Sequence, residues 1–123
     1  MAFIQRITVT VPVDASGDAT VYSPSVSGKV VSVHYVKTDY ANGVDFVITS
    51  EATGQIIWDE DNVDASAIRA VRQPTYGQTG TASLYAGAGT AVEAPIVLAN
   101  DRIKIVVAAG GVSKTGTFHF MLE

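Results

Sequence analysis

PIVLANDRIKIVVAAGGVSKTGTFHFMLE, residues 95–123, is the stretch whose reading decides the fold. Ile103, Ile105 and Val107 alternate with Arg102, Lys104 and Val106, and Phe118, Phe120 and Leu122 alternate with Thr117, His119 and Met121. Side chains on a strand point alternately to its two faces, so this period of two predicts two strands with one apolar face each. The joint from Ala108 to Gly116 holds Gly110, Gly111 and Gly116. Glycine takes positive φ without steric cost, and the spacing predicts a β-hairpin closed by a mobile, glycine-rich tip.

Moving outward, the same signals recur along the chain. Residues 3–13 alternate until Pro12 removes a ladder donor, which predicts a first strand at a sheet edge. The turn-forming run Asp14–Asp18 leads to a short strand over Ala19–Tyr22, and a loop over Ser23–Gly28 leads to a third strand over Lys29–Val36. In that third strand Val31, Val33 and Tyr35 share one face while Val30, His34 and Val36 share the other, the pattern of a strand covered on both sides. Asn42 and Gly43 mark a tight turn, followed by a hairpin that pairs Val44–Thr49 with Gln55–Trp58 through a turn at Glu51–Gly54 and ends at the acidic run Asp59–Asp64. In the irregular middle, 65–89, the residues Ala65–Arg72 admit a helical turn, Gln73–Gly80 reads as a loop, and Thr81–Tyr85 as a short strand before a flexible tip at Ala86–Thr90. A strand over Val92–Leu98 follows, with Asn100 and Asp101 as a turn. The expected fold is therefore one all-β domain over 1–123, an antiparallel β-sandwich or jelly-roll-like barrel of about eight or nine short strands.

Composition narrows the function. Of the 123 residues, 47% are apolar and 16% charged, where an average domain has about 25% charged. A surface so poor in charge is either covered by Thr, Ser, Gly, Ala and Gln or partly hidden in an interface. The net charge is −4 and the eight Lys and Arg are scattered, which provides no basic stripe for nucleic acid. Cysteine is absent, removing disulfides, thiol nucleophiles and thiolate metal sites. The first residues carry Gln5 and Arg6 and do not read as a secretory signal, and no run approaches the roughly eighteen apolar residues of a membrane helix. The expectation is a protein made in the cytoplasm that stays in solution, with no membrane partner, unless it leaves within something larger.

Candidate chemistry is thin. The run Asp59, Glu60, Asp61, Asp64 offers hard oxygens, but an EF-hand needs Gly at the sixth position and Glu at the twelfth, where Ala70 stands; the alternative is pairing with Arg69 and Arg72. His34 and His119 fall mid-strand among apolar neighbours and read as packed structural residues. Lys114 and Thr115 follow Gly110 and Gly111 without the spacing or the helix of a phosphate loop. No catalytic, metal or cofactor residue is expected, and an enzyme is not expected. Trp58 reads as core, and Tyr40 and Tyr76 as exposed; with Tyr85, these aromatics are what a carbohydrate-binding module would use as a platform. Expected contact residues are Arg69, Arg72 and Tyr76 of the irregular middle, because long loops on a rigid sheet concentrate binding residues, together with Ile4 and Arg6 of an N-terminal strand, 2–11, whose edge pairs with another subunit unless the strand is simply an edge within its own sheet.

Taken together, VYSPSVSGKVVSVHYVK (21–37), GVDFVITSEATGQIIW (43–58) and DRIKIVVAAGGVSKTGTFHFMLE (101–123) resemble small β-sandwich virion proteins of tailed bacteriophages, the decoration or cement class on heads built from an HK97-like major capsid protein. The resemblance implies a homo-oligomer, with a trimer favoured, bound to the major capsid protein on the outer capsid surface and stabilising the shell without cofactor or chemistry. It fixes no site residue. A head–tail connector or tail structural protein is the alternative within the virion.

Overall fold

The computed structural model describes residues 3–123, so the expected strand contributions of Met1 and Ala2 lie outside the described residues. Among the described residues the chain is all-β. Ten strands run in the order β1 (Gln5–Pro12), β2 (Ala19–Tyr22), β3 (Val26–Lys37), β4 (Val44–Ser50), β5 (Ile56–Val63), β6 (Ala67–Arg69), β7 (Arg72–Pro74), β8 (Glu93–Asp101), β9 (Ile103–Ala108) and β10 (Thr115–Leu122). They form two antiparallel sheets, ordered β1-β10-β3-β8-β7 with β6 also on β3, and β2-β9-β4-β5. The β-sandwich is thus observed, in two open sheets.

The decisive C-terminal stretch forms both expected strands but not the expected hairpin. β9 pairs β2 and β4, whereas β10 pairs β1 and β3. Each strand has one buried face, with Ile103, Ile105 and Val107 on β9 and Phe118, Phe120 and Leu122 on β10. Side by side in one sheet they would still need a second layer; on opposite sheets they bury those faces against the same core. The connecting tip is anchored: Gly110 N–H donates to Gly17 O at 3.0 Å, Ser113 N–H to Asp14 O at 3.0 Å, and Ala41 N–H to Gly110 O at 3.0 Å. Gly116 is no tip residue either. It is buried within β10, where an added Cβ would stand 2.3 Å from Cε2 of Tyr40, so glycine is required by close approach rather than by turn geometry.

An aromatic cluster joins the layers. Phe46 of β4 meets Phe118 of β10 edge-on at 5.1 Å, Tyr35 of β3 at 5.2 Å and Trp58 of β5 edge-on at 4.7 Å. Such contacts contribute about 0.5–1.5 kcal/mol each beyond the apolar area they bury. Trp58 is core, as expected. Tyr40, expected to be exposed, is 2% exposed: its ring lies over Gly116 and stacks with Tyr35 at 6.1 Å, and its hydroxyl donates to Val11 O.

Three further expectations are corrected. In β3, Leu122 faces Val30 and Met121 faces Ser32, so Val31 is a bulge residue. The extra residue shifts the alternation, leaving Val31 40% exposed and burying Val30, Val33 and Tyr35 on one face. The acidic run does not end β5 but continues it, and Asn62 at φ 58 marks the irregular pairing with β4. In place of a helical turn in 65–72 stand β6 and the start of β7. β8 pairs β3 only through Val30, and β6 supplies partners for Val33 to Tyr35 on the same edge, where a helix would leave backbone groups of β3 unpaired.

Candidate functional site

Between β7 and β8 the chain makes an arm, residues 75–92, whose neck is closed by backbone. Thr75 N–H and Oγ1–H both donate to Val92 O, at 2.9 and 2.8 Å. Ser83 lies between them, its N–H donating to Thr75 O and its carbonyl accepting Val92 N–H, both at 2.9 Å. Two tight turns project from this neck, one closed by Gly77 N–H to Thr81 O at 2.8 Å, the other by Tyr85 N–H to Thr90 O at 3.0 Å. Isolated bridges pair Tyr76 with Ala82 and Leu84 with Ala91, where the sequence predicts a strand at 81–85. The backbone is occupied with itself while the side chains are not: Tyr76 is 61% exposed, Tyr85 76% and Leu84 40%. Ordered backbone carrying exposed aromatics is the composition of a contact surface, because tyrosine offers large area at small loss of rotamer freedom.

The five residues expected to make contacts do not form one patch. Tyr76 is on the arm and Arg72 on β7 at its base, whereas Arg6 is on β1 at the far edge of the same sheet and Ile4, 65% exposed, precedes that strand. Four strand spacings of about 4.8 Å separate those edges, roughly 19 Å. Arg69 is engaged within the molecule. Its guanidinium bonds both carboxylate oxygens of Glu60, at 2.9 and 3.0 Å, and lies 5.4 Å from the Trp58 ring centroid. Arg69 together with the Trp58 indole N–H holds the Glu60 carboxyl below the usual carboxylate range. One of the acidic run thus answers an arginine, as the alternative to metal binding proposed. Asp64 accepts Gly43 N–H at 2.7 Å, and among the described residues no group of three or more His, Cys, Asp or Glu is placed to hold a metal ion.

Beside Arg69 opens a cleft of about 710 Å³, lined by His34, Val36, Glu60, Asp64, Ile68 and Arg69 among others. Val36 and Ile68, 42% and 62% exposed, give it an apolar rim on the outer face of the β1-β10-β3 sheet. A second cleft, about 210 Å³, collects Lys29, Arg72 and Glu123.

Sequence reasoning missed the register that unites the two histidines. His34 and His119 are not packed core residues; they stand directly opposite each other on β3 and β10, half-buried on the outer face. Alternation alone contained the signal, since both are flanked by residues that the core claims: Val33 and Tyr35, Phe118 and Phe120. Of the aromatics considered for a sugar platform, Tyr40 and Trp58 are buried, and Tyr76 and Tyr85 are exposed on the arm. No protein-family model matches the chain, and no curated protein matches it.

Proposed function

We propose that this protein is a non-catalytic structural subunit that binds a larger particle as a homo-oligomer, in the manner of the capsid decoration proteins it resembles, with the arm 75–92 as its principal contact. The observation that carries the reading is the combination of a closed, hydrogen-bonded neck with exposed Tyr76, Leu84 and Tyr85. A surface of this kind binds by burying aromatic anchors, and needs no reacting group. The low charge fraction, 16%, accords with a face that is covered in use. The major capsid protein is the proposed partner, with a trimer as the proposed oligomer.

Mass spectrometry of particles assembled from the genome that encodes this chain tests the reading. Decoration requires a copy number on the order of hundreds; a connector ring, the alternative within the virion, requires about six to twelve copies by closed symmetry. Replacing Tyr76 and Tyr85 together by alanine is expected to lower occupancy on the particle while the melting temperature stays within about 1 °C, since neither ring contributes to the core. Absence of the protein from the particle overturns the proposal, and glycan binding abolished by the same double variant would establish the carbohydrate-binding alternative.

A further inference from the structure

The chain contains two histidines and no cysteine, and the fold brings those two imidazoles from distant parts of the sequence into one cross-strand pair. Directly opposed residues on antiparallel strands carry Cβ atoms about 4.5–5.5 Å apart. Two imidazole nitrogens bound to one tetrahedral Zn²⁺ at about 2.0–2.1 Å lie about 3.4 Å from each other, a separation that rings on such a pair reach by side-chain rotation. Both rings stand on the outer face and are half-buried, so that one side is open to solvent.

Each ring is also oriented by a hydroxyl. Thr8 Oγ1 is 3.1 Å from His119 Nδ1, and Ser32 Oγ is 3.3 Å from His34 Nε2. Thr8 is the residue opposite His119 on β1, and Ser32 precedes His34 by two positions, where a β3 side chain returns to the same face. When each ring donates its N–H to its hydroxyl, the lone pairs fall on His119 Nε2 and His34 Nδ1. That is the outer-shell arrangement by which metal-binding histidines are held in one tautomer. The geometry points to a two-histidine site for a divalent late transition metal of the zinc, nickel and copper class, bound by His34 Nδ1 and His119 Nε2 with water in the remaining positions. Imidazole selects these ions over Mg²⁺ and Ca²⁺, which take oxygen ligands. Arg6, opposite Met121, stands two pairs along the strands on the same face, and Glu60, Asp64 and Arg69 line the cleft that His34 borders. The site is independent of the proposed function, since neither histidine belongs to the arm.

Calorimetric titration of the full chain with ZnCl₂ and NiCl₂, with MgCl₂ as control, tests the site, together with substoichiometric Cu²⁺ in an amide NMR spectrum. One Zn²⁺ or Ni²⁺ per chain is expected, no heat from Mg²⁺, and paramagnetic broadening centred on 32–36 and 117–121. His34→Ala and His119→Ala should each weaken binding at least tenfold, because one imidazole forms no chelate, and Thr8→Val should weaken it about tenfold through the lost outer-shell bond. His34→Gln and His119→Gln, which keep a polar side chain on the outer face, serve if either alanine variant is poorly folded. Unchanged affinity in the His34→Ala/His119→Ala double variant, or broadening centred on Asp59–Asp64, overturns the proposal.

Discussion

Two buried tyrosines with the same chemistry have opposite energetics. Tyr40 donates its hydroxyl proton to Val11 O, so Tyr40→Phe removes a buried hydrogen bond to the β1 backbone and should cost about 0.5–1.5 kcal/mol. Tyr35 is 1% exposed and its hydroxyl has no hydrogen-bond partner among the described residues; burial pushes its pKa up to about 12. Tyr35→Phe removes an unpaired polar group and fits the same ring, so the expectation is unchanged or raised stability in urea unfolding. A loss comparable to that of Tyr40→Phe would contradict it. Acid stability is set by carboxylates. Asp101 accepts Ser50 Oγ–H and the backbone N–H groups of Ala52 and Arg102, and Glu51 is bonded by Arg102; these contacts hold both carboxyls below their usual range. A carboxyl depressed in the folded state stabilises it above the unfolded carboxyl's titration range, and that contribution is lost as pH falls through the folded value. Thermal melts from pH 6 downward should therefore show a falling midpoint below about pH 4, and Asp101→Asn should flatten that fall while lowering the midpoint at neutral pH.

Elements answer to pairing before propensity. β1 occupies the edge that the sequence predicts for it, with Gln5 opposite Leu122 and Arg6 opposite Met121. Its ladder to β10 is internal to the chain, so removing residues 1–6 takes away intramolecular pairs and should lower stability by about 1 kcal/mol, a few degrees in a calorimetric scan. The other edge of β1 has no strand on it among the described residues, and loss of self-association on the same truncation would assign that edge to a neighbouring subunit. β6 is the opposite lesson. The helical turn that Ala65–Arg72 admits is worth little in isolation, and the unpaired edge of β3 beyond Val30 overrides it.

At the scale of the molecule, the sandwich and the arm separate into a stable body and an appendage. The neck residues Thr75 and Val92 are directly hydrogen-bonded, so replacing 76–91 by a short turn leaves both sheets intact. The expected outcome is a folded variant with a melting temperature within a few degrees of the parent, no longer bound to the particle and, if the arm also joins subunits, monomeric by light scattering. A cooperative loss of the fold would show instead that the arm completes the core.

The longer alternating strands, the all-β class and the edge position of β1 were legible in the amino-acid sequence, because period-two alternation, Pro12 and the turn residues are local properties of the chain; the short β6 and β7, read as a helical turn and a loop, were not. Val9, Ile48, Ile105 and Phe118 could be read as core for the same reason. Which strand lies beside which was decided by the tertiary structure alone. The 109–114 connection serves a hairpin and a sheet-to-sheet crossing equally well, and only the need of β9 and β10 to bury their apolar faces in one core selects the crossing. The bulge at Val31, the burial of Tyr40 over Gly116 and the opposition of His34 to His119 follow from that pairing. Each depends on the register between segments far apart in sequence, which no local pattern encodes.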